Sequence, residues 1–252
     1  MRTVLRATLL FILFLGAATA HAELPAGYRL ILQTENFPPF NMAKSGKNFA
    51  RDENIQGLSA TTVREMFKRA DIPYTLTLRF PWDRIYKQTL EQPNHGLFST
   101  SRSEAREKLF KWVGPIAQYE SVLLAAPGKP MKLDSLEQAK AYKVGAYKSS
   151  AVSQLLEGKG LTPVNSLRDQ ENISKLISGR IDLWATSDPV WRYYAKQEGV
   201  SGLETVLSFH TSSLYLALNI DTPDEVVERL QKALDQMKSE GFNSCSQNPD
   251  LC

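Results

Sequence analysis

The chain has little of what covalent or metal chemistry most often needs. Of its 252 residues only three are histidine and two are cysteine. His21 falls in the leader described below, which leaves His95 and His210. Neither stands in a Ser-His-Asp or metal-ligand spacing that the sequence makes legible. His95 sits in Gln92-Pro93-Asn94-His95-Gly96, a turn composition. No catalytic centre, metal site or cofactor is therefore expected, and an enzyme working through Glu35 or Asp188 as acid or base stays open only as a minor alternative. An excess of one charge is missing too. The 30 Lys and Arg face 27 Asp and Glu, and Arg2 and Arg6 lie in the first 22 residues, which hold no acid. The remainder is close to neutral, so no nucleic-acid partner is implied, because such a partner needs a concentrated basic face. Beyond those first residues no apolar run approaches the about 20 residues that cross a bilayer.

Residues 1–22 read as a secretory signal peptide. Arg2 and Arg6 give a positive start, Leu9 to Leu15 an apolar core, and Ala20-His21-Ala22 an A-x-A cleavage pattern before Glu23. The apolar segment is too short for a retained membrane anchor, and no cysteine follows it to take a lipid. The expected location is the periplasm. In that oxidising compartment Cys245 and Cys252, both in the last eight residues, are expected to form a local disulfide that ties down the tail. Its short loop limits the gain from restricting the unfolded chain. A metal or redox pair is the alternative, yet C-x₆-C without a nearby histidine matches no familiar ligand spacing.

What is present is an alternation of short strands and helices, the pattern of an α/β sheet protein. Strands are expected at Arg29 to Thr34, Tyr74 to Leu78, Gly96 to Ser99, Tyr119 to Leu124, Lys143 to Tyr147 and Ile181 to Ala185. Ala43 to Gln56 is polar and reads as a surface loop. Val63, Met66, Phe67 and Ala70 fall on one face of a helix, and Trp82 to Leu90 and Ala151 to Leu156 are further helices. Ile173, Leu176 and Ile177 line another, which Gly179 ends. Pro189 opens the next. Thr222-Pro223, as cap and first helical position, opens the last, whose apolar face runs through Val226, Leu230, Ala233, Leu234 and Met237.

Four motifs in order carry a family resemblance: Phe37-Pro38-Pro39-Phe40, Pro81-Trp82-Asp83-Arg84, Arg102 to Arg106 followed nine residues later by Pro115, and Gly179-Arg180-Ile181-Asp182. Each is weak alone. Together they resemble the extracellular solute-binding proteins of polar amino-acid ABC transporters, over nearly the whole chain after the leader. The resemblance implies an α/β, two-lobed periplasmic-binding-protein (Venus-flytrap) fold with two crossover strands, the first lobe formed by residues 23–118 and 212–252 and the second by 119–211. It also implies a monomer without cofactor that captures a small-molecule ligand, an amino acid or small carboxylate, by hinge closure for the membrane permease of an ABC transporter. A sensing module working with a separate receptor is the alternative, and a dehydratase-type enzyme on the same fold a lesser one.

The resemblance also nominates site residues. Arg106 matches the arginine that clamps a ligand carboxylate, a task suited to a planar, bidentate donor; otherwise it is a solvated charge. Ser99 and Ser101 match positions that hydrogen-bond the same ligand, while Arg102 either adds a second cation or faces solvent. Phe37 and Trp82 match aromatic walls, with Phe40 and Trp112 read as core. Ser149 and Ser150 precede a helix whose first N–H groups attract a carboxylate, with Ser150 equally an N-cap. At the position where the family commonly has an aspartate for the ligand ammonium, this chain has Ser187. Asp188 comes one residue later and reads as an N-cap ahead of Pro189 or else as a ligand contact, the Ser187-Asp188 turn closing over the ligand with Ser149 and Ser150. The ammonium site is therefore expected to be altered, with Glu35 either a substitute charge or a solvated loop acid.

Overall fold

The computed structural model describes residues 24–251; the signal-peptide segment and Cys252, the second half of the expected disulfide, lie outside the described residues. Among the described residues eleven strands and seven α-helices follow one another: β1 (Leu30–Thr34), β2 (Met42–Ala43), β3 (Ala50–Arg51), β4 (Ile55–Gln56), α1 (Leu58–Ala70), β5 (Tyr74–Leu78), α2 (Trp82–Glu91), β6 (His95–Ser101), β7 (Phe110–Ala125), α3 (Leu136–Ala139), β8 (Val144–Tyr147), α4 (Ala151–Gly158), β9 (Val164–Ser166), α5 (Glu171–Ile177), β10 (Leu183–Asp188), α6 (Val190–Gln197), β11 (Glu204–Asn219) and α7 (Asp224–Ser239). Among the described residues no helix is long and apolar enough to cross a membrane.

The periodicities explain the elements. In α1 the four expected residues Val63, Met66, Phe67 and Ala70 are all buried, and the helix stops where Asp71 turns left-handed at φ 51° and its N–H reaches the Phe67 and Lys68 carbonyls. In α7 the five expected apolar residues are likewise all buried. Gly179, at φ 71°, follows the end of α5 as expected.

The strand order is β3-β5-β1-β6-β11-β7-β10-β8-β9. β1 runs parallel to β5 and β6, and β10 parallel to β8. Between these two parallel groups stand β7 and β11, 16 residues each and antiparallel to one another along nearly their whole length. The end of β11 also pairs with β6, through Leu214–Leu218, whereas the end of β7 also pairs with β10, through Glu120–Leu124. Each long strand thus belongs to a different half of the sheet along its final part. Pro115, which has no N–H for a ladder, sits in β7 opposite a bulge in β11 between Leu214 and Leu216, where its missing donor breaks no pairing.

Two hydrophobic cores follow from this arrangement. One joins β1, α1, β5 and α7 through residues such as Leu32, Phe67, Leu78 and Leu234. The other joins β8, α4, α5, β10 and α6 through Ala146, Leu156, Ile173, Trp184 and Val190. The first draws on both ends of the chain and the second on its middle.

Three expectations are corrected. The stretch Ala43 to Gln56, read as a loop, holds β3, which extends the sheet beside β5, and β4, which pairs with β2. Thr222 does not cap α7: its hydroxyl is buried without a hydrogen-bond partner, and Pro223 occupies the cap position with no side-chain bond. Asp188 does not cap α6 either; Pro189 precedes that helix, and the Asp188 carboxylate accepts hydrogen bonds from Trp191 Nε1 at 3.0 Å and from Arg192 at 2.7 and 2.9 Å. A proline cannot supply the capping oxygen, so the acid one residue earlier turns to the side chains of the first turn.

Candidate functional site

A cleft of about 1140 Å³, counting its open mouth, is lined from both cores. Its walls come from the segment after β1, the start of α2, β6, the 3₁₀ turn before β7, the β8–α4 turn, the segment before α5, and the β10–α6 region. Eight of the sequence-nominated residues line it: Glu35, Phe37, Trp82, Ser99, Ser101, Arg106, Ser150 and Ser187.

Arg106 is only 2% exposed, and burial lowers its pKa from the ordinary arginine value. Its partners are neutral. Nε and Nη2 donate to Gln154 Oε1 at 3.2 and 2.9 Å, Nη1 to the Ser101 carbonyl at 3.4 Å, and Nη2 to the Ser149 carbonyl at 3.5 Å. The Tyr86 ring lies 5.1 Å from the guanidinium carbon. A buried cation held only by carbonyls and an aromatic face is one carboxylate short of neutrality, and a carboxylate would form stronger, charge-assisted bonds. Ser149 is not itself on the lining. It adopts the left-handed conformation at φ 59°, and it is its carbonyl that meets Arg106.

The turn into α4 is more specific than the sequence reading allowed. Ser150 does cap the helix, its Oγ accepting from Ser153 N at 3.0 Å. Its own N–H is used by the Tyr147 carbonyl at 3.2 Å. The first-turn donors that line the cleft therefore belong to Ala151 and Val152 rather than to the serines.

On the opposite strand edge Ser99 also adopts φ 57°, rare for a residue with a Cβ, and its hydroxyl donates to Asn41 Oδ1. Asn41 in turn donates to Thr34 Oγ1 at 2.7 Å and to the Glu35 carbonyl, tying the segment after β1 to β6. Ser101 Oγ shares a 2.8 Å hydrogen bond with Tyr119 OH. Phe37 stacks on Phe40 at 5.5 Å and meets Tyr119 edge-on at 5.6 Å. Phe40 is core, as expected. Trp112 is not: it is partly exposed, donates Nε1 to the Glu107 carbonyl at 3.0 Å and shares Arg102 with Tyr215. Arg102 faces solvent in an ion pair with Glu107.

Two carboxylates line the cleft. Glu35 is 8% exposed and accepts Tyr147 OH at 2.8 Å on each oxygen, while Trp82 N–H donates to the same hydroxyl at 3.2 Å. Burial dominates its electrostatics and pushes its pKa from 4.5 to about 8 against those hydrogen bonds. Asp169, on the segment before α5, accepts Trp184 Nε1 at 2.9 Å and Thr186 Oγ1 at 2.5 Å, and burial raises it from 3.8 to about 6. Sequence reasoning missed Asp169. It stands in Leu167-Arg168-Asp169-Gln170-Glu171, an ordinary polar connection, and only the fold brings it to the cleft beside Ser187. Tyr147 was missed as well, having been read as the end of a strand. Asp188 lies off the lining, engaged with Arg192 and Trp191.

No protein-family model matches the chain, and no curated protein matches its sequence. Solved structures do match. An ancestral arginine-binding protein bound to arginine is 22% identical with a TM-score of 0.72, over 88% of this chain and 97% of that one. The arginine-, lysine-, histidine-binding protein ArtJ from Geobacillus stearothermophilus is 18% identical with a TM-score of 0.72, over 89% and 95%. A histidine kinase sensor domain with similarity to periplasmic binding proteins is 16% identical with a TM-score of 0.76, over 88% and 95%. At these identities the likeness is one of architecture, and it shows that the chain has the two-lobed α/β fold of periplasmic binding proteins.

Proposed function

We propose that the chain is a periplasmic solute-binding protein that captures an amino acid or related small carboxylate by hinge closure, without chemical change, and delivers it to the permease of an ABC transporter. The observation that carries this reading is Arg106, a buried guanidinium lining the cleft with neutral partners alone. In this reading the lobes are residues 23–118 with 212–252, and 119–211; the leader is cleaved and Cys245 pairs with Cys252. The protein works as a monomer. The ligand carboxylate lies against Arg106 and the first-turn N–H groups of α4, with Phe37 and Trp82 as walls. Contacts to both lobes in the closed form alone shift the open-closed equilibrium towards closure.

Sensing through a separate receptor is the second reading, favoured by the likeness to a kinase sensor domain. The cleft chemistry is the same in both, and the partner that recognises the closed form differs. Thermal-shift screening of the mature chain against amino acids, small carboxylates and amines tests the shared claim. A cognate ligand at about 100 times its Kd adds roughly 2.7 kcal/mol of stability by mass action and raises Tm. No rise with any compound would refute ligand capture. Pull-down of a detergent-solubilised permease by the liganded form separates transport from sensing.

A further inference from the structure

Glu35 is a buried acid without a cationic partner among the described residues. Its carboxylate accepts only the Tyr147 hydroxyl, with Trp82 N–H close by. The other titratable groups that act on it or on that hydroxyl are Asp83 at the start of α2, Asp169 before α5 and Tyr194 on α6, none of them a cation. The neighbouring cleft arginine, Arg168, is paired with Glu171 at 2.8 Å. Arg106, in the same cleft, bonds to Gln154 and carbonyls. A carboxylate enclosed this way, beside two further acids, holds its proton until a positive charge arrives. The walls around it are aromatic: Trp82, Tyr147 and Tyr194, whose hydroxyl donates to the Asn36 carbonyl at 3.3 Å. Such faces favour a cation over a neutral polar group.

We infer that Glu35 is the residue of the cleft that recognises a cationic nitrogen on the ligand's side chain, and that it accepts that cation in exchange for its own proton. The inference rests on the reading of the cleft as a ligand site. In the exchange the O–H bond of Glu35 breaks, its proton leaves to solvent, and the carboxylate forms charge-assisted hydrogen bonds to the ligand N–H groups. Asp169, at about 6, is already mostly charged at pH 7 and contributes little to the proton count. Glu35, at about 8, supplies most of it. Affinity for a cation therefore rises with pH up to about 8 and levels off above it, by up to about tenfold per pH unit.

Isothermal titration calorimetry of the mature chain, at pH 7 in buffers of different ionisation enthalpy, tests this with L-arginine, L-lysine and L-citrulline, which share the α-ammonium and α-carboxylate and of which only citrulline has an uncharged side chain. The arginine guanidinium stays charged throughout, so proton changes report on the protein. The expected result is release of close to one proton with L-arginine or L-lysine, and binding of L-citrulline at least about tenfold weaker with none released. Glu35→Gln keeps the side-chain length and an acceptor for Tyr147; it is expected to cost the basic probes at least about tenfold and to abolish proton release. If that variant does not fold, the wild-type proton count and pH profile decide alone. Tight binding of the basic probes without proton release, or unchanged affinity in Glu35→Gln, would overturn the role of Glu35 and leave the ligand site standing. Absence of binding by every probe and by every compound of the thermal-shift panel would overturn both.

Discussion

At the residue scale the cleft is organised around buried ionisable groups. Arg106 and Glu35 are each nine-tenths or more buried, and burial shifts each towards its neutral form. For Glu35 the consequence reaches stability. Its folded pKa is raised from 4.5 to about 8, so the contribution is fully present below about pH 4.5 and is lost as pH rises through 8. Asp169, raised from 3.8 to about 6, adds a loss between those values. The ligand-free protein is therefore expected to lose thermal stability from pH 5 to pH 8, and Glu35→Gln to flatten the upper part of that curve. Melting curves across the range check this; an unchanged pH slope in the variant would contradict it. Of these residues Arg106 was legible in the sequence, because its spacing to Pro115 is a motif. Glu35 was legible only as an open alternative, since burial decides between a solvated acid and a cleft acid. Asp169 and Tyr147 were not legible, because nothing local marks a polar residue that the sheet topology carries to a cleft.

At the element scale the site depends on turns whose backbone conformation is demanding. Gly57, before α1, sits at φ 130°, and an added Cβ would lie 2.4 Å from the Phe40 carbonyl oxygen. That carbonyl accepts the Ser59 and Ala60 N–H groups, so the close approach fixes the Phe37 to Phe40 corner against α1. Gly57→Ala is expected to cost more than about 2 kcal/mol, from strain and displaced backbone together, seen as a lower midpoint in urea unfolding. Ser150→Ala removes the N-cap of α4 and is expected to cost about 1 kcal/mol, while also loosening the turn that presents Ala151 and Val152. A ligand affinity that falls by more than this stability loss would mark the turn as part of the site. Most elements were visible as periodicity, from β5 to the apolar face of α7. The caps at Thr222 and Asp188 were misread because a proline follows each, and a proline fixes the chain direction without fixing which side chain turns back. β3 and β4 are two residues each, too short for any period to show.

At the scale of the whole molecule, the side-chain hydrogen bonds that join the two cores across the cleft include, among the described residues, Tyr147 to Glu35, Arg106 to Gln154, and Tyr194 to the Asn36 carbonyl. The chain links between the cores include β7 and β11, whose pairing shifts register at Thr205/Leu207, Ser208/His210 and Leu214/Leu216. A few bonds of this kind hold a closed form weakly, so a ligand that bridges both lobes can shift the balance. Small-angle scattering is expected to show a smaller radius of gyration with a cognate ligand than without it. Tyr147→Phe, which removes one bridging contact, is expected to enlarge the ligand-free form. Identical scattering profiles with and without saturating ligand would argue against closure.

The central claim is that a ligand carboxylate is held by Arg106. Calorimetric titration of the tightest compound from the thermal-shift screen into wild-type, Arg106→Ala and Arg106→Lys chains tests it most directly. The account predicts that Arg106→Ala, checked as folded by circular dichroism, loses at least about 2 kcal/mol of binding free energy. It also predicts that Arg106→Lys recovers only a small part, because a point charge does not replace a bidentate fork. A folded Arg106→Ala variant that binds the same carboxylate with wild-type affinity would contradict it.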